Sequence, residues 1–130
     1  MLFRSYEEAE AAYRRAIELD PKFDHPRLNL AGRLVKSDPS AAIELLKRAP
    51  GLVEWEPFVR QNILKPIIQL GRAELCVKFL EETGLSQKWM PTYEACLATV
   101  EGSKRRLNRL VPEVREPTMK IYRDLLTPSK

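Results

Sequence analysis

The sequence is poor in the residues from which enzyme sites and metal centres are built. It has one histidine, His25, and two cysteines, Cys76 and Cys96, among 130 residues. A structural zinc site needs four such ligands, and neither a Gly-rich phosphate loop nor a set of nucleophile, histidine and carboxylate appears in the sequence. We therefore expect no catalytic residues, no metal and no cofactor. Both cysteines lie among apolar residues in helical patterns, which predicts buried, reduced thiols.

Long apolar runs and strand signals are missing as well. No apolar stretch approaches the roughly 20 residues that cross a bilayer, and the segment Met1–Glu8 contains no apolar run of signal-peptide length. We expect a cytoplasmic or otherwise intracellular protein that does not enter the membrane. Sustained alternation of apolar and polar residues is absent, as are Asn-Gly and Asp-Gly hairpin turns, so no β-sheet is expected.

What the sequence does contain is a series of short amphipathic helical patterns. Apolar residues recur three and four positions apart, and most of the ten prolines lie between these patterns. The expected N-caps include Ser5, in a capping box with Glu8, and Asp24. Pro66 is expected to kink its helix, Gly84 to end the next one, and Val111–Pro117 to be irregular. The predicted helices cover 5–19, 25–36, 40–48, 57–70, 72–83, 91–101, 104–111 and 118–126.

The first helical pattern is also the most specific one. Over residues 6–21, small Ala9, aromatic Tyr13, small Ala16 and a terminating Pro21 stand at fixed spacing. This arrangement resembles the second helix of a tetratricopeptide repeat (TPR), a unit of about 34 residues. Counting onward places further repeats from residues 24, 57 and 91. The resemblance is strongest over 6–50, weaker over 57–84 and weakest beyond 91.

The TPR resemblance implies an all-α fold, with antiparallel helix–turn–helix pairs stacked in a right-handed TPR-like α-solenoid. We predict TPR-like helical repeats over 1–102, the first of which lacks its first helix, and basic capping helices over 103–130. The second segment has eight basic and three acidic residues, a net charge of +5, whereas residues 1–102 carry a net charge of −1. We expect the chain to be the C-terminal part of a longer solenoid, or a protein whose first helix pairs with another chain.

TPR proteins bind other chains, so the resemblance implies a protein–protein interaction module, a scaffold or an adaptor. In the family, the first helices of successive repeats line a concave groove that holds a peptide or a helix. The set carried over to this sequence lacks the dense lysine and asparagine pattern with which some members hold a C-terminal carboxylate. The candidate groove residues are Asn29, Lys36, Phe58, Gln61, Asn62, Lys65 and Gln69.

The incomplete first repeat predicts a second surface. Without its partner helix, the apolar face of the first helix is expected to be uncovered. Tyr6, Ala9 and Tyr13 are its candidate interface residues. An upstream helix or a second copy of the chain would cover them.

A basic cluster near the C-terminus gives the alternative function. The cluster consists of Lys104, Arg105, Arg106 and Arg109, of which Arg105 and Arg109 share a helical face. Such a cluster is typical of a site for phosphates of nucleic acid, for anionic lipid or for an acidic partner segment. Leu107 and Leu110 favour another interpretation, in which one side of this helix is core and the basic residues are its solvated side. The alternative to the interaction module is therefore a basic, nucleic-acid-binding helical adaptor.

A second family is also similar. The triplet Ile121-Tyr122-Arg123 resembles the second helix of the half-TPR repeats of RNA-processing factors. Those repeats also stack helix pairs, but the Leu-Gly-like pairs and the Asp-Pro ending at 20–21 favour the ordinary TPR.

Overall fold

A computed structural model, which describes residues 5–128, shows an all-α protein with no strand among these residues. The predicted fold class is confirmed at this level. A 3₁₀ turn, Leu52–Trp55, follows α3, and a π-helical turn, Arg60–Leu64, joins α4 to α5. None of the described helices is long and apolar enough to cross a membrane. The helices are α1 (Tyr6–Leu19), α2 (Asp24–Leu34), α3 (Pro39–Lys47), α4 (Glu56–Val59), α5 (Lys65–Gln69), α6 (Ala73–Glu82), α7 (Leu85–Lys88), α8 (Met90–Glu101), α9 (Arg105–Asn108) and α10 (Pro112–Leu126).

The chain forms two compact units, Met1–Trp55 and Glu56–Lys130, of which residues 5–55 and 56–128 are described. The first unit contains α1 to α3 and the second contains α4 to α10. The predicted division at residue 102 concerns the repeats in the sequence and stays a prediction.

In the first unit, α1 packs on α2 and α2 packs on α3. Ala9, Ala31 and Ala42 are completely buried, one on each helix. Alanine at these positions lets helix backbones approach closely, because a longer side chain would hold them apart. The Ser5 hydroxyl accepts a hydrogen bond from the backbone N–H of Glu8 at 3.1 Å, so the predicted N-cap of α1 is confirmed.

Asp24 has a different role from the predicted N-cap. It is the first residue of α2, and Phe23 occupies the cap position without a side-chain hydrogen bond. Both Asp24 carboxylate oxygens accept from the backbone N–H of Gly51, at 3.1 and 3.2 Å, and Oδ2 also accepts from Nε1 of Trp55. A Cβ on residue 51 would collide with this carboxylate. Asp24 therefore binds the segment after α3 to the start of α2.

In the second unit, α4, the π-helical turn and α5 follow one another without a break from Glu56 to Gln69. The π turn ends at Leu64, two residues before Pro66, and the N–H of Lys65 donates to the carbonyl of Arg60, five residues back. Proline has no N–H, and its ring crowds the carbonyl four residues back, so a wider turn relieves the clash. The predicted interruption at Pro66 thus takes the form of a π turn.

Helix α8 is the centre of the second unit, because α6, α7, α9 and α10 all pack against it. Gly84 ends α6 and Gly102 ends α8, with φ of 74° and 69°. These left-handed conformations cost a residue with a Cβ about 1 kcal/mol or more, which explains glycine at both turns. The predicted cap at Gly84 is confirmed. The short helix α7, which follows it, was not predicted.

The prediction of an irregular segment at Val111–Pro117 is wrong. Helix α10 begins at Pro112 and continues through Pro117. An interior proline costs a helix roughly 3 kcal/mol, but Pro117 lies on the exposed side, where water can bind the unpaired carbonyl. On the opposite side, Thr118, Tyr122 and Leu125 are buried. Their packing outweighs the local penalty.

Candidate functional site

Three of the predicted groove residues form a polar row along the second unit. Gln61, Lys65 and Gln69 are spaced four residues apart and lie on one side of the α4–α5 helix. This row contacts the chain's own helix α10. Nε2 of Gln61 donates to Oδ2 of Asp124 at 2.6 Å, and Nζ of Lys65 lies 3.4 Å from Oδ1 of the same carboxylate. We call Gln61, Lys65 and Gln69 the helix-holding row.

The third member of the helix-holding row meets the end of α10. Nε2 of Gln69 donates to the backbone carbonyl of Thr127 at 2.8 Å. The last carbonyls of a helix have no partner within the helix, so a side-chain amide is a suitable donor for them. The row therefore contacts a helix in two ways, through a side-chain carboxylate and through a C-terminal carbonyl.

The electrostatics of this contact favour the charged form of Asp124. The hydrogen bond from Gln61, followed by the hydrogen bond and charge of Lys65, lowers the pKa of the Asp124 carboxyl, while partial burial opposes the shift. The side chain of Lys65 is only 9% exposed. A buried ammonium needs a paired anion, so Asp124 stabilises Lys65 as much as the reverse.

The remaining groove candidates do not join this row. Nδ2 of Asn62 donates to the carbonyl of Phe58, one turn back in the same helix, and the Phe58 side chain is half-buried. Asn29 and Lys36 are exposed and belong to the first unit. The structure therefore brings together only Gln61, Lys65 and Gln69 from the predicted set.

The predicted open face of α1 is partly closed. Ala9 is completely buried, which corrects its assignment to an uncovered interface. The Tyr6 hydroxyl donates to the backbone carbonyl of Arg33, and the Arg33 guanidinium lies 4.4 Å from the centre of the Tyr6 ring. Tyr13 is half-buried. The reason is that α2 already packs on the face of α1 that contains Ala9 and Tyr6.

The basic cluster lies beside a cleft between α8 and α9 with a volume of about 250 Å³. Leu107 is completely buried and fixes α9, while the Ser103 hydroxyl accepts from the backbone N–H of Arg105 at 3.1 Å. Lys104 is exposed but does not contribute to the cleft wall. We call this space the charged cleft; its walls are Glu94, Glu101, Arg105, Arg106, Arg109 and Leu110.

Arg106 is the only member of the basic cluster in ion pairs with described residues. Its Nη1 lies 3.1 and 3.2 Å from the two carboxylate oxygens of Glu94, and its Nε lies 3.1 Å from Oε1 of Glu101. The hydrogen bonds that Arg106 donates to Glu101 and Glu94 raise the pKa of its guanidinium. The side chains of Arg105 and Arg109 form no hydrogen bond or ion pair within residues 5–128.

Three acidic residues central to these sites were missed by sequence reasoning: Glu94, Glu101 and Asp124. Glu94 and Glu101 are seven residues apart, so helical periodicity places them on one face of α8. That signal was available. Nothing local marks Asp124, because its partners lie 59 and 63 positions away.

No protein-family model, curated protein or solved structure matches this chain. Within residues 5–128, no group of three or more histidine, cysteine, aspartate and glutamate residues is placed to hold a metal ion. The helix-holding row and the charged cleft are therefore the two candidate binding sites among the described residues.

Proposed function

We propose that the protein is a protein–protein interaction module, a scaffold or adaptor of TPR type that binds a helix of another protein. The helix-holding row is the observation that carries this proposal. It coincides with positions that the TPR resemblance assigns to a ligand groove, and it contacts a helix in the structure. The TPR-like stacking of helix pairs and the intracellular location belong to the same proposal.

The contacts of α10 indicate what such a partner helix should contain. One carboxylate would face Gln61 and Lys65, and the C-terminal carbonyls would lie near Gln69, as those of Asp124 and Thr127 do. An apolar stripe would fill the place of Thr118, Tyr122 and Leu125, all buried in α10. A partner of this kind is an amphipathic helix with an acidic residue in its last turn.

The helix-holding row can be tested in trans with a peptide. In the full chain, Asp124→Lys places two ammonium groups opposite each other and weakens the attachment of the chain's own α10. A fluorescent peptide of the sequence Pro112–Thr127 should then bind this variant much more tightly than the wild-type protein, in which a partner helix has to displace α10, present at roughly millimolar effective concentration. Fluorescence anisotropy measures the binding.

Two further variants make the peptide experiment specific. Glu116→Lys is a matched control, because residue 116 is on α10 and exposed, and the same change of charge there should not open the site. Adding Lys65→Glu to Asp124→Lys restores an ion pair of reversed polarity and should weaken peptide binding again. If the peptide does not bind a helical Asp124→Lys variant, the helix-holding row does not accept a partner helix.

A nucleic-acid-binding adaptor is the second candidate, favoured by the side chains of Arg105 and Arg109, which are unpaired within the described part of the chain. It predicts binding of RNA or DNA that weakens steeply with salt, because bound phosphates release counterions. Glutamate in place of Arg105 and Arg109 should abolish that binding. Failure to bind any oligonucleotide at low salt would exclude this candidate.

A further inference from the structure

The charged cleft contains both signs of charge, and its two acids are held differently. The side chain of Glu94 is 11% exposed and gives both oxygens to Nη1 of Arg106, whereas the side chain of Glu101 is 43% exposed and contacts Nε through one oxygen. A buried carboxylate with two contacts is a fixed part of the site. An exposed one with a single contact can be exchanged for a carboxylate from solution.

The three arginines of the cleft also differ in whether another side chain holds them. Arg106 is oriented by Glu94 and, like any arginine in a protein, is charged at physiological pH. The exposed side chains of Arg105 and Arg109 have no partner within the described residues, although both border the cleft. Guanidinium groups bind carboxylates through paired N–H donors, so three of them around one cleft form a site for more than one carboxylate.

We propose that the charged cleft binds an acidic segment of a partner protein. Carboxylates of that segment pair with Arg105 and Arg109, and one of them replaces Glu101 at Nε of Arg106. Glu94 acts as a positioning residue, since it holds Arg106 while the exchange takes place. The inference rests on the proposed function in one respect, namely that the ligand is another protein.

The composition of the cleft favours a peptide over a nucleic acid. With Glu94 and Glu101 in the wall, the three arginines leave a net charge of only +1, and Glu94 is not displaced. A nucleic-acid backbone is charged along its whole length, so its phosphates that do not meet an arginine would lie near this fixed carboxylate and be repelled by it. A peptide can place its carboxylates at the arginines and an apolar side chain at Leu110, which also borders the cleft.

The test uses the full chain and a fluorescent 12-residue peptide with four consecutive glutamates between Gly-Ser segments, a probe and not a natural ligand. A peptide with four glutamines replaces it as the control. Replacement of Arg105 or Arg109 by glutamine should lower affinity for the glutamate peptide by about tenfold each, the usual effect of losing a charge-assisted hydrogen bond. Lys120→Gln and Arg123→Gln on α10 remove the same charge at exposed sites outside the cleft and should leave affinity unchanged.

Substitution of the two acids separates a site from a general charge effect. Glu101→Gln removes the competing carboxylate and should tighten binding several-fold, whereas Glu94→Gln loosens Arg106 and should reduce the preference for the glutamate over the glutamine peptide. A non-specific attraction would instead make both substitutions tighten binding equally. That result, or equal affinity of the wild type and the Arg105→Gln/Arg109→Gln variant, would overturn the proposal.

The remaining outcomes concern the class of ligand. Tighter binding of a 12-nucleotide RNA than of the glutamate peptide, through the same arginines, would also overturn the proposal in favour of a nucleic-acid site. The Pro112–Thr127 peptide binds elsewhere, at the helix-holding row. Suppose that the Pro112–Thr127 peptide binds the Asp124→Lys chain but the glutamate peptide does not bind the wild type. The proposal for the charged cleft is then wrong, while the proposed function stands.

Discussion

Nζ of Lys65 lies 3.4 Å from Oδ1 of Asp124, so this ion pair joins α5 to α10 across 59 positions of sequence. The ammonium is almost buried, whereas the carboxylate is 37% exposed. The pair therefore has access to solvent on one side only, and its strength should respond to pH through Asp124.

The first prediction concerns that response. The pKa of Asp124 is lowered in the folded protein below its ordinary value of 3.8, so its charge stabilises the fold at pH values above 3.8, and this contribution is lost as the pH falls through the folded pKa. Asp124→Asn should lower the free energy of unfolding at pH 7 by up to about 1 kcal/mol, the scale for a partly exposed pair. Thermal unfolding followed by circular dichroism should show the difference in Tm shrinking below about pH 4. A difference that is constant with pH would mean that the charge of Asp124 contributes nothing.

The second prediction compares two glycines of the first unit. Gly51→Ala forces a methyl group into the Asp24 carboxylate that binds its own backbone N–H, and should destabilise the protein by about 1–3 kcal/mol. Gly32 lies inside α2, and a methyl group there would meet no packed neighbour within 4 Å, so Gly32→Ala should stabilise the protein by about 0.5–1 kcal/mol. Urea unfolding measures both. Equal effects of the two substitutions would contradict the role given to Asp24.

The third prediction uses two neighbouring leucines of α10. Leu125 is completely buried and Leu126 is 51% exposed. Leu125→Ala should cost about 2–5 kcal/mol, as is usual when a core leucine is truncated, whereas Leu126→Ala should cost less than about 0.5 kcal/mol. Chemical denaturation of the two variants tests whether α10 is part of the core of the second unit. Similar, small effects would show that α10 is only loosely attached.

The fourth prediction concerns the two thiols, which are buried and free, as the sequence predicts. Sγ of Cys76 lies 3.5 Å from the carbonyl of Leu64. A hydrogen bond with Cys96, followed by burial, raises the pKa of the Cys76 thiol, so little reactive thiolate is present. At pH 8 a thiol reagent should modify neither cysteine in the native protein and both in guanidinium chloride at a denaturing concentration, as absorbance and mass spectrometry would show. Rapid reaction under native conditions would mean that α6 and α8 separate readily.

Local sequence signals predicted the helices well. The spacing of apolar residues, the Ser5 cap and the glycine at residue 84 each act within one or two helical turns, so they can be read without knowledge of the fold. The same local reasoning failed at Pro117, where the proline penalty was visible and the packing of Thr118, Tyr122 and Leu125 was not. It also predicted Asp24 as the N-cap of α2, although the Asp24 carboxylate binds Gly51 and Trp55.

In the candidate sites, too, the features that depend on local sequence were predicted and the contacts between distant residues were not. The groove positions Gln61, Lys65 and Gln69 were named from a family resemblance, and their common face follows from helical spacing. That their side chains meet α10, and that Arg106 turns toward Glu94, could not be predicted, because these contacts join residues 12 to 63 positions apart.

The sequence by itself determined that the protein is all-α, where most helices begin and end, and which thiols are buried. These features depend on short-range hydrogen bonding and on the periodicity of apolar residues. Only the tertiary structure decided which polar side chains are paired within the described part of the chain. That choice depends on which distant charges meet: Lys65 is bound by Asp124 and Arg106 by Glu94, whereas Arg105 and Arg109 have no partner among the described residues.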